Sequence, residues 1–486
     1  MARGVVLADP ERTAGGKSSI AVLAVRAVAL GIIVAAHATG CGLLQRRTGQ
    51  NGSSQAPSPG AEPKEAQLAN AQAAAADGAG DVSGLPAAGT RPARAERLSF
   101  LVITVDTLRP DLGFMGYERP VSPNVDRLAG RSIVYDRAYS ISTYTGFCLP
   151  PMMASRYPSE MPRTDRHEVK YLSQNVLLAE RLRAEGYHTA GAASHFLFAP
   201  VLGWIDGFEH FARVPVEGDA PSGSSVDWFH SSRGLADAAI RILSDPQVTS
   251  GPFFVWIHFL DPHGRYLEHK GFSTFGHDQR DLYDGEIAYT DFHIGRVLDA
   301  LEGSPLRERT VVVLTADHGE AFGEHGEYHH GRHIWEEIVR IPLIVFVPGA
   351  PPRRIERRVS AVEIAPTILD LAGAPADPGA RGRSFAPELF GADLPESPIL
   401  VDQPRNPYYP LKRAFIDGGY KLHVLPESKT YLLFDLAHDP GEKNDLAANE
   451  PDTLARMRRS YDEFMSRIVE VAPVPVARAE PTTSKR

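Results

Sequence analysis

Cysteine is almost missing from this sequence: its 486 residues include two, Cys41 and Cys148, so no framework of disulfides can brace the fold. Positive charge is also short, with 51 Lys and Arg against 60 Asp and Glu, a formal net charge of −9. Nothing in that balance argues for nucleic acid as a partner. A long uninterrupted apolar run is lacking near the start, where Ile20 to Ala36 is apolar except for Arg26. The arginine leaves a core of Ala27 to Ala36, short of the roughly 20 residues that span a bilayer but sufficient for the h-region of a signal sequence. From Gln45 to Glu96 aromatic and large aliphatic residues are nearly absent, and Ala, Gly, Ser, Pro and Gln take their place. Such a stretch cannot bury enough surface to offset its conformational entropy, so it reads as a disordered tether.

Within the first 44 residues, basic Arg3, Arg12 and Lys17 precede the apolar stretch, and Ala38-Thr39-Gly40-Cys41 follows it. The tetrapeptide resembles the lipobox of bacterial lipoproteins, with alanine where leucine is usual. The resemblance implies lipidation of Cys41 and a membrane-attached protein on the periplasmic side or surface of a bacterium. An uncleaved membrane anchor and a misplaced start codon are the alternatives.

What is present is a large core: 43% of residues are hydrophobic, enough for more than one buried layer. Val311 to Leu314 is a continuous β-branched and aliphatic run that stops at Asp317 and His318, followed by Gly319 to let the backbone turn. Leu98 to Val105 is a second such run and ends in Asp106. Runs of this kind read as parallel strands covered on both faces, and their carboxyl ends are where open α/β sheets bind ligands. Two buried strands delivering carboxylates to one edge can share a cation, with His318 beside them. The plainer reading is that each acid caps a turn. Helical spacing over Val176 to Glu185 and Tyr283 to Leu301 alternates with strand-like segments at His188 to Ala192 and Phe253 to Phe259. The pattern predicts an α/β/α sandwich around a large, mostly parallel sheet. Beyond Ser397, Arg413 to Ile416, Lys421 to Val424 and Tyr431 to Asp435 predict a small antiparallel sheet with a Gly418-Gly419 hairpin turn, closed by a helix over Asp452 to Glu470. The expected divisions are an anchor at 1–44, a tether at 45–96, a catalytic domain at 97–396, a subdomain at 397–470 and a disordered tail at 471–486.

The order D-T-L-R-x-D from Asp106, P-N-x-D-x-L-A from Pro123, VWIHFLDPHGRY from Val255, DHGEAFGEHG from Asp317 and LLFDLAHDPGEKNDLA from Leu432 resembles the sulfatases, within the alkaline phosphatase superfamily. The likeness extends from about Leu98 to Ile468. It implies His263 close to the leaving-group oxygen and a second substrate-contacting cation in the His-rich loop, for which His330 is the candidate. His258, by contrast, reads as a core histidine bonded to backbone. Sulfatases carry Cys-x-Pro-x-Arg, whose cysteine becomes formylglycine. Here Cys148-Leu149-Pro150 imitates that motif but has Met152 where the arginine belongs. Aligning instead on Ala154-Ser155-Arg156-Tyr157-Pro158 places Thr145 at the nucleophile's position, with helix capping as its plainer role.

The implied metal set is Asp106, Asp317, His318 and the nucleophile Thr145. The imidazole favours one divalent ion of the Mn, Mg or Zn kind over the calcium that sulfatases commonly hold. Three functions follow as expectations: an exported metal-dependent hydrolase of a sulfate or phosphate ester; a threonine-nucleophile phosphodiesterase or phospho-alcohol transferase of the same superfamily; or a binding protein that kept the fold.

Overall fold

The computed structural model describes residues 97–167, 169–216 and 230–476, so Cys41, the anchor and the tether lie outside the described residues. Among the described residues no helix is long and apolar enough to cross a membrane. Among the described residues fourteen strands occur in chain order: β1 Ser99–Val105, β2 Ile133–Tyr139, β3 His188–Ala193, β4 His210–Arg213, β5 Phe253–Phe259, β6 Thr310–Ala316, β7 Ala321–Phe322, β8 Tyr328–His329, β9 Arg340–Phe346, β10 Arg353–Ser360, β11 Ile399–Gln403, β12 Lys412–Asp417, β13 Tyr420–Leu425 and β14 Thr430–Asp435. The main sheet has the order β10-β2-β9-β6-β1-β5-β3-β4, and only β9 runs against its neighbours. Every residue of β1, β5 and β6 is buried, which is why these strands read as unbroken apolar runs instead of alternating.

Both faces are covered by helices: α1 Pro123–Ala129, α2 Thr145–Ala154, α3 Leu178–Ala184, α4 Ser232–Ser244, α5 Gln279–Glu302 and α6 Ile364–Ala372, while α7 Pro451–Met465 closes the chain. One layer groups α1 and α4 around α5, and the other groups α2, α3 and α6. Helix α5 starts earlier than its apolar stripe predicts, because Asp278 and Asp281 form a capping box ahead of it. Its stripe of Ile287, Ile294, Val297, Leu298 and Leu301 is buried. Its acids are anchors: Asp291 accepts the Asn124 and Val125 amides at the start of α1, and Asp284 accepts from Tyr117 and Arg119. Helix α2 is buried throughout and holds Pro150 and Pro151 in its interior. Pro150 has no N–H for the Gly146 carbonyl, and the Tyr171 hydroxyl donates to that carbonyl at 2.8 Å instead.

Strands β11 to β14 form the second, antiparallel sheet, whose β12-β13 hairpin turns through Gly418 and Gly419 at φ 57° and 91°. The expected tail is corrected in part. Val471 and Val474 donate to the Ser159 and Arg163 carbonyls at 2.8 and 2.7 Å, and Val476 donates to Asp165 at 3.0 Å. Pro473 and Pro475 alternate with two of these donors, so the residues lacking an N–H fall where an added edge strand needs none.

Buried ionic contacts join the second sheet to the segment after β8. Lys421 lies 3.0 Å from both Glu336 and Glu442, and Glu442 accepts the Glu336 amide at 2.7 Å and contacts His423 at 2.8 Å. Burial opposes the charge on Glu442, but Lys421 and then His423 outweigh it and hold the carboxyl at about 2. Because that value lies below the ordinary glutamate value, the stabilisation is present above roughly pH 4.5 and is lost as pH falls toward about 2. Urea midpoints measured across that range should fall less steeply for Glu442→Gln than for the native chain; parallel acid limbs would show that Glu442 does not drive the transition.

Candidate active site

The site is assembled by strand register. Strand β1 pairs in parallel with both β5 and β6, aligning Val105 with Phe259 on one side and Ala316 on the other. The next residue of β1, Asp106, therefore emerges beside the next residue of β6, Asp317. Both acids are buried, and one oxygen of each lies within 4.8 Å of the other and of a ring nitrogen of His318.

The backbone fixes which atoms face one another. Asp317 Oδ1 accepts the amides of Thr107 at 3.2 Å and His318 at 2.8 Å, while Oδ2 is buried without a hydrogen-bond partner. His318 Nδ1 lies 3.0 Å from the Gly319 carbonyl and donates to it, which leaves the lone pair on Nε2. That nitrogen lies 3.4 Å from Asp317 and 3.8 Å from Asp106. Burial pushes the His318 pKa down, so the ring is neutral, as a metal ligand must be.

Gly319 serves a different purpose from the one the sequence suggested. Its φ is not positive, but a Cβ there would meet the Glu337 carbonyl oxygen at 2.3 Å, and its amide donates to Ile338 at 2.7 Å. The glycine permits close approach of two chain segments and is not needed to turn the backbone.

Thr145 is the first residue of α2, and its hydroxyl is not a cap. Thr145 Oγ1 lies 3.3 Å from His318 Nε2 and 3.4 and 3.5 Å from the two oxygens of Asp106. Cys148 sits one turn further along the same buried helix. Burial pushes its thiol well up, and the Asp317 and Asp106 carboxylates push it further.

His330 is returned to the site by the β7-β8 hairpin, and its ring lies tilted 4.5 Å from that of His318 and 5.0 Å from that of His263, centre to centre. Burial works against its charge, but Glu320, 3.1 Å from Nδ1, more than offsets it and lifts the imidazole to about 9. His330 is therefore a cation at neutral pH. Glu320 in turn accepts from the Tyr266 hydroxyl at 2.9 Å. Arg109, from the D-T-L-R motif, donates to the Glu320 carbonyl and to Glu324 and pairs with Asp111, bracing the loop that carries these groups.

Two side chains have partners that the sequence reading did not give them. His258 is a buried core histidine, but its partner is a side chain and not the backbone: Nδ1 lies 2.9 Å from Thr104 Oγ1, which also accepts from Trp256. Its Nε2 lies 3.4 Å from Asp106 Oδ2, within ion-pair distance but without a hydrogen bond. Register alone makes His258 legible, since Thr104 stands opposite it. Glu320 was the other, readable only once the hairpin brings His330 back. Asp261, at the end of β5, is structural: it accepts the Ser231 and Ser232 amides at the start of α4.

Asp106 and Asp317 repel one another in this buried setting. Burial also opposes the charge on Asp106, yet His263 and then His258 outweigh it and hold that carboxyl well below the usual range. Burial and then Asp106 push the Asp317 carboxyl up. Two oxygen donors and one oriented imidazole, with Asp317 Oδ2 buried without a hydrogen-bond partner, make a set that fits a divalent cation.

The mostly parallel α/β/α sandwich carries this cluster at the carboxyl edge of its sheet. The sulfatase family model matches residues 99–374, and that of the C-terminal region of N-sulphoglucosamine sulphohydrolase matches residues 323–466. The chain belongs to the sulfatase family. It is 23% identical to choline-sulfatase of Rhizobium meliloti over 72% of this chain and 82% of that one. Against the Delta 4,5-hexuronate-2-O-sulfatase of Bacteroides thetaiotaomicron it is 24% identical, over 79% and 92%. Among solved structures, a 2-O GAG sulfatase superposes with a TM-score of 0.65 at 20% identity, over 78% of this chain and 95% of that one. The phosphonate monoester hydrolase of Agrobacterium radiobacter superposes at 0.62 and 20% identity, over 76% and 95%.

Gly319→Ala should lower the melting temperature by several degrees, because the added Cβ must displace the Glu337 carbonyl. An unchanged melting curve would contradict the close approach.

Proposed function

We propose that this chain is an exported, metal-dependent hydrolase that cleaves a sulfate or phosphate ester with Thr145 as nucleophile. The observation that carries the reading is the Thr145 hydroxyl, held within 3.3 to 3.5 Å of His318 and Asp106 at the first position of a buried helix. Export rests on the apolar stretch and Cys41 in the sequence of residues 1–44. The intact cluster and the family of hydrolases to which the chain belongs argue against a binding protein that merely kept the fold.

Asp106, Asp317 and His318 would hold the cation together with Thr145. When bound, a divalent ion of the Mn, Mg or Zn kind supplies charge neutralisation and eases ionisation of a coordinated hydroxyl. In the reaction, Thr145 Oγ gives its proton to solvent and bonds to the phosphorus or sulfur of the ester as the bond to the leaving alcohol breaks. The alcohol oxygen takes a proton from His263, and the His330 imidazolium balances charge developing on the transferred group. Water then attacks a phospho-threonine at phosphorus and gives a proton to His263, restoring its acid form, while the bond to Oγ breaks and Thr145 Oγ takes a proton back from solvent. A sulfo-threonine has no equivalent of the formylglycine hydrate, which expels sulfate by collapse to an aldehyde. Threonine therefore favours phosphorus esters, and a phosphodiesterase or phospho-alcohol transferase is the second reading.

Thr145→Ala should abolish turnover of p-nitrophenyl phosphate, phosphodiester and sulfate substrates alike, while Cys148→Ser keeps most of it. The opposite pattern would return the nucleophile to Cys148. Elemental analysis of the native chain should find about one Mn, Mg or Zn per molecule, and Asp317→Ala should remove both metal and activity. Stoichiometric calcium retained against chelation would count against the imidazole-containing set. His263→Ala should slow alkyl esters roughly a hundredfold while sparing activated aryl esters, since only a poor leaving group needs the proton. Equal losses on both would make His263 a binding or folding residue.

A further inference from the structure

Strand β11 belongs to the second sheet, yet its last two residues take hold of the segment that carries Thr145. The Asp402 amide donates to the Ile141 carbonyl at 2.8 Å, and one Asp402 carboxylate oxygen accepts the Ser159 amide at 2.9 Å. Arg413, opposite Asp402 on β12, donates to the other oxygen at 2.9 Å and keeps the acid paired. Gln403 Oε1 accepts three donors from the turn just ahead of α2: the Ser142 hydroxyl at 2.7 Å, the Thr143 hydroxyl at 2.8 Å and the Thr143 amide at 3.4 Å. One strand end thus grips residues 141–143 before the helix and residue 159 after it.

Ser142, Thr143 and Gln403 are all fully buried. Gln403 Nε2 is buried as well and has no hydrogen-bond partner, so the side chain is held by its oxygen alone. Helix α2 meanwhile starts without a side-chain cap, because its N-cap residue is Tyr144. Its first residue is therefore aimed by the chain that enters the helix, and Gln403 fixes that chain two residues ahead of Thr145. The aim matters, since Thr145 Oγ1 stands 3.3 Å from His318 and 3.4 and 3.5 Å from the Asp106 oxygens.

We propose that Gln403 is a positioning residue for the nucleophile: its amide oxygen fixes the Ser142-Thr143 turn and, through it, the direction in which Thr145 Oγ1 points. Without that oxygen two buried hydroxyls and one amide lose their acceptor, and the turn must move to satisfy them. A displacement of about 1 Å at a reacting group costs roughly a hundredfold in rate. The second sheet thereby takes part in the chemistry of the first. The inference rests on the reading of Thr145 as the nucleophile.

The test is steady-state kinetics of the Mn-loaded full chain with p-nitrophenyl phosphate, read beside the Mn content of each variant. Gln403→Met should keep about one Mn per molecule and the native KM while losing kcat roughly a hundredfold. Gln403→Glu, which keeps an oxygen toward the same donors, should recover most of that loss. Thr143→Val, which deletes one donor and leaves the acceptor in place, should show the same split in smaller degree, and it decides the matter where Gln403→Met does not fold. A native kcat in Thr143→Val or in folded Gln403→Met overturns the proposal. Equal losses in Gln403→Met and Gln403→Glu, or a loss of kcat matched by loss of Mn, overturn it too, because a packing role predicts those results. Each of these outcomes leaves Thr145 standing as the nucleophile, whereas absence of turnover by the native chain overturns that reading and this inference together.

Discussion

The structure turns on the repulsion between two buried carboxylates, Asp106 and Asp317, which the parallel pairing of β1 with β6 forces into contact. Ordinary folding would remove such a pair, because each charge loses its water and gains a like-charged neighbour. Here the sheet interior is apolar on both faces of β1, β5 and β6, and slippage by one residue would turn an entire strand's side chains to the wrong layer. Core packing therefore holds the acids where electrostatics alone would not. The remaining demand is for positive charge at the sheet edge, and the surrounding histidines meet part of it.

Those histidines are not equivalent. His318 is neutral and aimed through the Gly319 carbonyl, which suits a ligand. His330 is a cation because Glu320 lies against it, which suits a group that faces an anion. The same loop provides both within a short stretch of chain, and Arg109 fastens that loop to the segment following β1. Separation of a donor ligand from a fixed cation thus follows from two different partners, a carbonyl and a carboxylate, and not from any difference between the imidazoles.

Much of this was legible in the sequence. The apolar runs ending in Asp106 and Asp317 specify parallel strands and their acid-bearing edge, and Gly418-Gly419 marks its hairpin. Aligning on Ala154-Ser155-Arg156-Tyr157-Pro158 put Thr145 at the nucleophile's position, and its hydroxyl lies 3.3 to 3.5 Å from His318 and Asp106. Other features were hidden for physical reasons. The partner of His258 depends on cross-strand register, which no local pattern contains. The close approach that demands Gly319 involves Glu337, whose carbonyl returns through an irregular loop. The docked segment after α7 looked disordered by composition, yet its prolines leave free the very amides that bond to 159–165.

The central claim is that Thr145 carries the transferred group, and the most direct measurement is the mass of the peptide spanning 138–156 after acid quench during turnover of a phosphate ester. The account predicts a phosphoryl adduct that fragmentation places on Thr145, absent before substrate is added and lost on standing in neutral buffer. Formylglycine at position 148 in the resting protein, with no adduct on Thr145, would contradict it.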